Sequence, residues 1–163
     1  MFQLNEHIFL LKLANSKEEF EQARHLLLKY AEELNIDLGF QNFESELNAL
    51  SDQYTKPKGG LLIAYMDEEP IGCVGVRIFE NKIAELKRMY VLPASRKNKI
   101  GYLLLTAAIE LARELNFYAI RLDTLPTMTS AINLYQRIGF KEIEPYRYNP
   151  IEGTKYFELE LRK

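Results

Sequence analysis

Arg96, Lys97 and Lys99 crowd into a short loop between a strand-like run that ends at Leu92 and a helix-like run that begins at Ile100. Such a junction can bind an anion. A helix N-terminus presents unpaired backbone N–H groups and a partial positive charge, and cations beside it would suit a pyrophosphate better than a single carboxylate. The same residues also read as a solvated basic turn, and composition alone does not separate the two. Other chemistry is sparse. Cys73 is the sole cysteine, so neither an internal disulfide nor a cysteine-based metal cluster can form. Within Gly72-Cys73-Val74-Gly75 it reads as a small buried hydrophobe rather than a nucleophile. His7 and His25 do not suggest a metal pair, and Asp123 and Thr124, closing a short strand, read as structural hydrogen-bonding groups. The absence of a G-x-x-x-x-G-K-[ST] run weakens any nucleotide-hydrolase reading.

The elements that must position this loop follow from periodicity. His7 to Ala14 reads as a first strand. Ser16 and Glu19 form a capping box, and Phe20, Ala23, Leu27, Tyr30, Ala31 and Leu34 then recur at helical spacing. A break over Asn35 to Gly39 separates this helix from a shorter one near Phe43 to Leu50. Three strand-like runs, Leu61 to Met66, Ile71 to Phe79 and Ile83 to Leu92, are joined by short polar turns and predict an antiparallel meander. Ile100, Leu104, Ala107, Ala108, Leu111 and Leu115 trace a second amphipathic helix. Ala119 to Leu122 is a short strand, and Ser130 to Ile138 a helix stopped by Gly139. The strand–helix–strand order demands a crossover, so Ile83 to Leu92 and Tyr118 to Asp123 should run parallel. Phe140 to Ile143 and Tyr156 to Leu161 complete a mixed, mostly antiparallel sheet of about seven strands with helices on both faces, an α/β (α+β) fold.

The 163 residues fit a single domain, 1–163, and nearly half are apolar. A formal charge of −2 argues against a chain whose main business is gripping nucleic acid. Neither a secretory signal nor an apolar run of membrane-spanning length is evident, so a cytoplasmic protein without membrane contact is expected.

Three segments together resemble the GNAT superfamily of N-acetyltransferases. Arg96 to Gly101 resembles its R/Q-x-x-G-x-G/A signature, Ala131 to Phe140 its A-x-x-L-Y-x-x-x-G-F segment, and Ala84 to Val91 the strand preceding the signature. The resemblance covers roughly Leu61 to Leu161. It implies acetyl-CoA as co-substrate, with no metal, held where two strands splay apart. Backbone groups of Met89 and Val91, with Tyr90 between them, would line the pantetheine arm. Arg96, Lys97, Asn98, Lys99, Ile100, Gly101 and Tyr102 would cradle the pyrophosphate, and Arg137 would approach the nucleotide. Lys99 departs from the pattern by replacing the first motif glycine, which would either block the cradle or sit in ordinary helical geometry and return a cation. Met128 stands where many members carry asparagine.

The resemblance also implies roles for side chains. Alkyl amines are mostly protonated at neutral pH, with pKa values near ~10, so a proton acceptor is needed beside a donor for the departing thiolate. Tyr135 matches the family's acid, although it also reads as a core aromatic. Glu85 matches a position from which several members aim a base; it also reads as a salt-bridged strand residue, partnered by Lys87 or Arg77. Asp37, Phe40, Phe43, Tyr146 and Arg147 fall in the two segments that shape the acceptor site, a mixture suited to a small zwitterion or peptide end. The expected function is acetyl transfer to the primary amine of a small molecule, amino acid or peptide. The alternative is a non-catalytic acyl-CoA-binding sensor or regulatory module, and homodimers are common in the family.

Overall fold

The computed structural model describes residues 2–4, 7–39 and 42–161. Strands β1 (Phe2–Leu4) and β2 (His7–Leu13) lead into helix α1 (Lys17–Leu34) and two short helices, α2 (Phe43–Asn48) and α3 (Leu50–Gln53). The meander follows as β3 (Gly59–Met66), β4 (Glu69–Glu80) and β5 (Ile83–Val91). Then come α4 (Ile100–Glu114), β6 (Ala119–Thr124), α5 (Thr129–Ile138), β7 (Lys141–Ile143) and β8 (Lys155–Glu160). Among the described residues these strands form one sheet in the order β1-β2-β3-β4-β5-β6-β8-β7. Neighbours are antiparallel except β5 and β6, which run parallel across the α4 crossover. The fold expected from periodicity is therefore present, with β1 added at one edge.

Local chemistry explains the boundaries. The Glu19 N–H donates to the Ser16 hydroxyl at 3.1 Å, while the Glu19 carboxylate accepts from the Asn15 N–H at 2.9 Å and pairs with Lys12 at 2.6 Å. The capping box thus reaches one residue further back than its usual form. Asn35 ends α1 in the left-handed region, and Gly139 ends α5 at φ 121°. The expected helix over Phe43 to Leu50 is split at Ala49, whose φ of −139° and ψ of 34° lie outside the helical basin.

The two faces of the sheet are covered differently. Ile100, Leu104, Leu105, Ala108 and Ile109 of α4 pack with Val74, Val76, Ala84 and Leu86 on one side. Ala23, Leu26 and Leu27 of α1 pack with Leu47, Leu50, Tyr54, Cys73 and Tyr90 on the other. Cys73 is fully buried and burial pushes its thiol up to about 12, an unreactive group. Among the described residues no helix is long and apolar enough to cross a membrane.

Candidate active site

Pairing between β5 and β6 covers Ile83, Ala84 and Glu85 against Ala119, Ile120 and Arg121, and then stops. β5 continues to Val91 and β6 to Thr124 without touching, so a wedge opens between them. The cause lies in β5 itself. Gly75 opposes Lys87 and Cys73 opposes Tyr90, leaving Arg88 and Met89 together against Val74. Arg88 adopts φ 60°. This is a β-bulge, which bends and twists its strand.

Two spaces fill the wedge. The outer is a cleft of about 880 Å3 lined by Met89, Tyr90 and Val91 from β5, Arg96, Lys99, Gly101 and Tyr102 from the basic junction, and Arg137 from α5. Tyr30, Glu33 and Leu34 of α1 close its other side. The inner is a cavity of about 60 Å3 whose walls include Lys87, Arg88, Asp123, Tyr135 and Asn149. The two share Tyr30, Leu34, Met89 and Met128.

The outer cleft is basic and open where α4 begins. A Cβ added at Gly101 would meet Leu134 at 3.9 Å and nothing closer, so the first turn of α4 is open to a ligand. Lys99 caps α4 at φ 59° and ψ 24°, a glycine-like backbone with its side chain exposed. The expected helical geometry does not hold at Lys99, which keeps the left-handed backbone and stands among the residues lining the cleft. Arg96 is engaged, its Nε donating to the Val91 carbonyl at 2.9 Å and its Nη2 pairing with Glu33 at 2.6 Å. Glu33 also accepts from the Tyr90 hydroxyl at 3.1 Å. Ile100 is fully buried in the core, so it could contribute only backbone. Lys97 and Asn98 do not line the cleft, although their backbone forms the 3-10 turn Pro93–Asn98 at its mouth.

The other expected residues are distributed as follows. Tyr135 is buried among Phe140 and Phe157 yet lines the inner cavity, and burial raises its phenol above the ordinary range. The core-aromatic reading holds, and the residue also lines the space where the expected acid would act. Glu85 is fully buried with both oxygens occupied: Oε2 accepts from the Tyr146 hydroxyl at 2.9 Å, and Oε1 meets Arg147 at 3.1 Å and Arg77 at 3.5 Å. Phe43 stacks on the Arg88 guanidinium at 4.9 Å. Asp37 is exposed and accepts from the Gly39 N–H in a local turn. Phe40 lies outside the described residues. Of the two segments expected to shape an acceptor site, 35–43 and 146–150, the inner cavity is lined by Ile36, Leu38 and Asn149, and not by Asp37, Phe43, Tyr146 or Arg147.

Comparison with known proteins agrees with this geometry. The profile of the acetyltransferase (GNAT) family matches residues 20–140. The chain belongs to the GNAT acetyltransferase family. It is 38% identical over 162 residues to a protein of Schizosaccharomyces pombe named as an uncharacterized N-acetyltransferase, covering 98% of this chain and 97% of that one. An IAA acetyltransferase of Azospirillum brasilense is 32% identical over 139 residues, or 83% and 90% of the two chains. In three dimensions the fold matches a GNAT acetyltransferase of Staphylococcus aureus with a TM-score of 0.79 at 24% identity, covering 95% of this chain and 100% of the other. A GNAT member is an acyltransferase, and the family generally uses acetyl-CoA.

Some residues at this site carry no sequence signal of their own. Glu33 reads as one more exposed helix carboxylate, and its contact with Arg96 spans sixty-three positions. Lys87 was visible only as a possible partner for Glu85. Its register with β4 is regular from Ala84 to Lys87, so it shares a face with Glu85; that this face opens on a cavity follows from the β6 ladder ending at Glu85, which alternation cannot foresee.

Proposed function

We propose that the protein transfers an acetyl group from acetyl-CoA directly to the primary amine of a small molecule, an amino acid or a peptide. The observation that carries this reading is the two-part wedge: an open cleft with a helix N-terminus and cations at its mouth, sharing Tyr30, Leu34, Met89 and Met128 with a small cavity lined by titratable side chains. Met89, Val91 and the Arg96–Tyr102 segment would hold the cofactor arm and pyrophosphate. Tyr135, protonated and without a hydrogen-bond partner among the described residues, would hydrogen-bond the departing sulfur and stabilise the charge that grows on it. Glu85 enters as an anchor, because a base must have an oxygen free and both of its oxygens already hold partners. It fixes Tyr146 and Arg147 beside the acceptor segments. Arg147 Nε is buried without a partner, and although Arg147 lines neither space, its guanidinium would be the anchor for a carboxylate on an acceptor seated against the 146–150 segment.

The test is calorimetry with acetyl-CoA beside adenosine diphosphate, followed by thiol release with a panel of primary amines. One saturable site, much tighter for acetyl-CoA, and turnover with at least one amine are expected. Arg147→Ala should raise KM for carboxylate-bearing amines by about 10-fold or more, as loss of a charged hydrogen bond implies, and leave their decarboxylated counterparts unaffected. Binding without thiol release across the panel would overturn the transfer reading.

A further inference from the structure

Lys87 is 4% exposed and lines the inner cavity. It has no hydrogen-bond or ion-pair partner among the described residues. A buried ammonium in that position is costly, and chains ordinarily supply such a group with a carboxylate. Here the neighbouring carboxylates are already committed, Glu85 to Arg77, Arg147 and Tyr146, and Asp123 to the Asn149 amide at 3.2 Å. The amine is therefore left without a partner at a cavity that Tyr135 also lines, on the strand that forms one wall of the wedge.

We propose that the Lys87 amine is a catalytic group, taking the proton from the attacking acceptor amine and passing it to the departing sulfur. The proposal rests on the acetyltransferase reading. The neutral acceptor nitrogen attacks the thioester carbonyl carbon, the carbon–nitrogen bond forms, and the carbon–sulfur bond breaks with its electron pair on sulfur. One proton moves from the acceptor nitrogen to Lys87 Nζ, and the ammonium so formed protonates the thiolate. The products are amide and thiol, with Lys87 neutral again.

The surroundings favour the neutral form. Burial is the largest influence, and it lowers the Lys87 pKa. Glu85 on the same strand raises it, Arg88 lowers it, Asp123 on β6 raises it and Arg77 on β4 lowers it, leaving it at about 8. Tyr30 of α1 and Tyr135 of α5 complete the cavity wall around it. A group with that value matches an alkyl thiol of pKa about 8.5, which is the condition for efficient transfer in both directions. A proton acceptor must be deprotonated, so kcat/KM expressed on the free-base form of the acceptor rises with pH through this value and levels above it, the acceptor's own ionisation near ~10 being divided out.

Two measurements test this. In protein labelled with 13C at the lysine ε-carbon, one resonance should titrate near pH 8, disappear in Lys87→Met, and shift on saturation with acetyl-CoA. All lysines titrating near 10, or a Lys87 signal indifferent to acetyl-CoA, would overturn the proposal without any acceptor being known. With an amine that the wild type acetylates, Lys87→Met and Lys87→Arg should both lose about 100-fold or more in kcat and lose the limb near pH 8, while acetyl-CoA affinity persists. Glu85→Gln should keep the limb. Retained activity in Lys87→Arg would mean that a fixed positive charge suffices and that no proton passes through this residue. Replacing a desolvated ammonium by methionine should hold or raise Tm, so lost turnover is not lost folding. Failure of the wild type to bind acetyl-CoA would instead remove the acetyltransferase reading, and the proton role with it.

Discussion

Lys99 illustrates how one residue can depart from a motif while keeping its backbone. Where the motif has glycine, Lys99 adopts a left-handed turn into α4 at φ 59°, a conformation that glycine takes freely. For an L-residue with a Cβ this conformation costs roughly 1–2 kcal/mol, part of which Lys99→Gly would recover, less the added freedom of glycine in the unfolded chain. The expected gain is about 0.5–1 kcal/mol, or roughly 1–4 °C in Tm for a chain of this size. The same change removes an exposed cation from the mouth of the cleft. Acetyl-CoA should bind about 2- to 5-fold more weakly at low ionic strength, with the difference fading as salt screens the charge. Lys99→Ala separates the two effects, because it loses the cation and keeps the strained backbone. If thermal melts place the glycine variant no higher than the alanine variant, left-handed strain is not what Lys99 contributes.

At the scale of elements, the bulge in β5 is braced from outside the sheet. Arg88 donates from Nε and Nη2 to both oxygens of Glu46 at 3.0 Å, with both side chains about 2% exposed. Glu46 belongs to α2 and also accepts from the Tyr54 hydroxyl at 2.9 Å. The Tyr54 ring lies where a Cβ on Gly75 would come within 2.5 Å, so that glycine is required for the close approach. A chain of contacts therefore runs from β4 through Tyr54 and α2 to the residue that opens the wedge. Burial raises the Glu46 pKa, but the hydrogen bonds and charge of Arg88, with Arg77 and Lys87, outweigh it and leave the carboxyl below its usual range. Its stabilising contribution is thus fully present above the ordinary carboxylate pKa of about 4.3 and is lost as pH falls through the lower folded value. Glu46→Gln strands a buried guanidinium, which should destabilise by about 3 kcal/mol or more and lower Tm by roughly 6–12 °C. Thermal melts from pH 3 to 7 should also show a shallower acid limb in the variant. An unchanged limb would mean that Glu46 is not the carboxylate whose protonation loosens the bulge.

Over the whole molecule, periodicity exposed the architecture because each element buries one face, and burial writes a pattern of 2 or 3.6 into the chain. The parallel β5–β6 pair followed from crossover geometry, and the basic junction from its charge. The interior of the wedge was less legible. Glu85, Tyr146 and Arg147 meet across about sixty residues, and the bend in β5 depends on one bulged residue. Distant polar pairings leave no local period to read. What the topology adds is a mechanical consequence. β1 to β5 form one half of the sheet and β6, β8 and β7 the other, joined across a short parallel ladder at Ile83, Ala84 and Glu85. A ligand seated in the wedge would touch both halves, so it should stiffen the junction as well as add binding energy. At 100 times its Kd, acetyl-CoA should stabilise the fold by about 2.7 kcal/mol, a Tm rise of roughly 5–11 °C. Hydrogen exchange should slow on both walls together, over 86–92 of β5 and its exit and over 123–131 at the start of α5, with 61–66 of β3 unaffected as an internal reference. Protection confined to the α4 end would place the ligand at the basic loop alone, and the wedge would then not be where the two halves of the site come together.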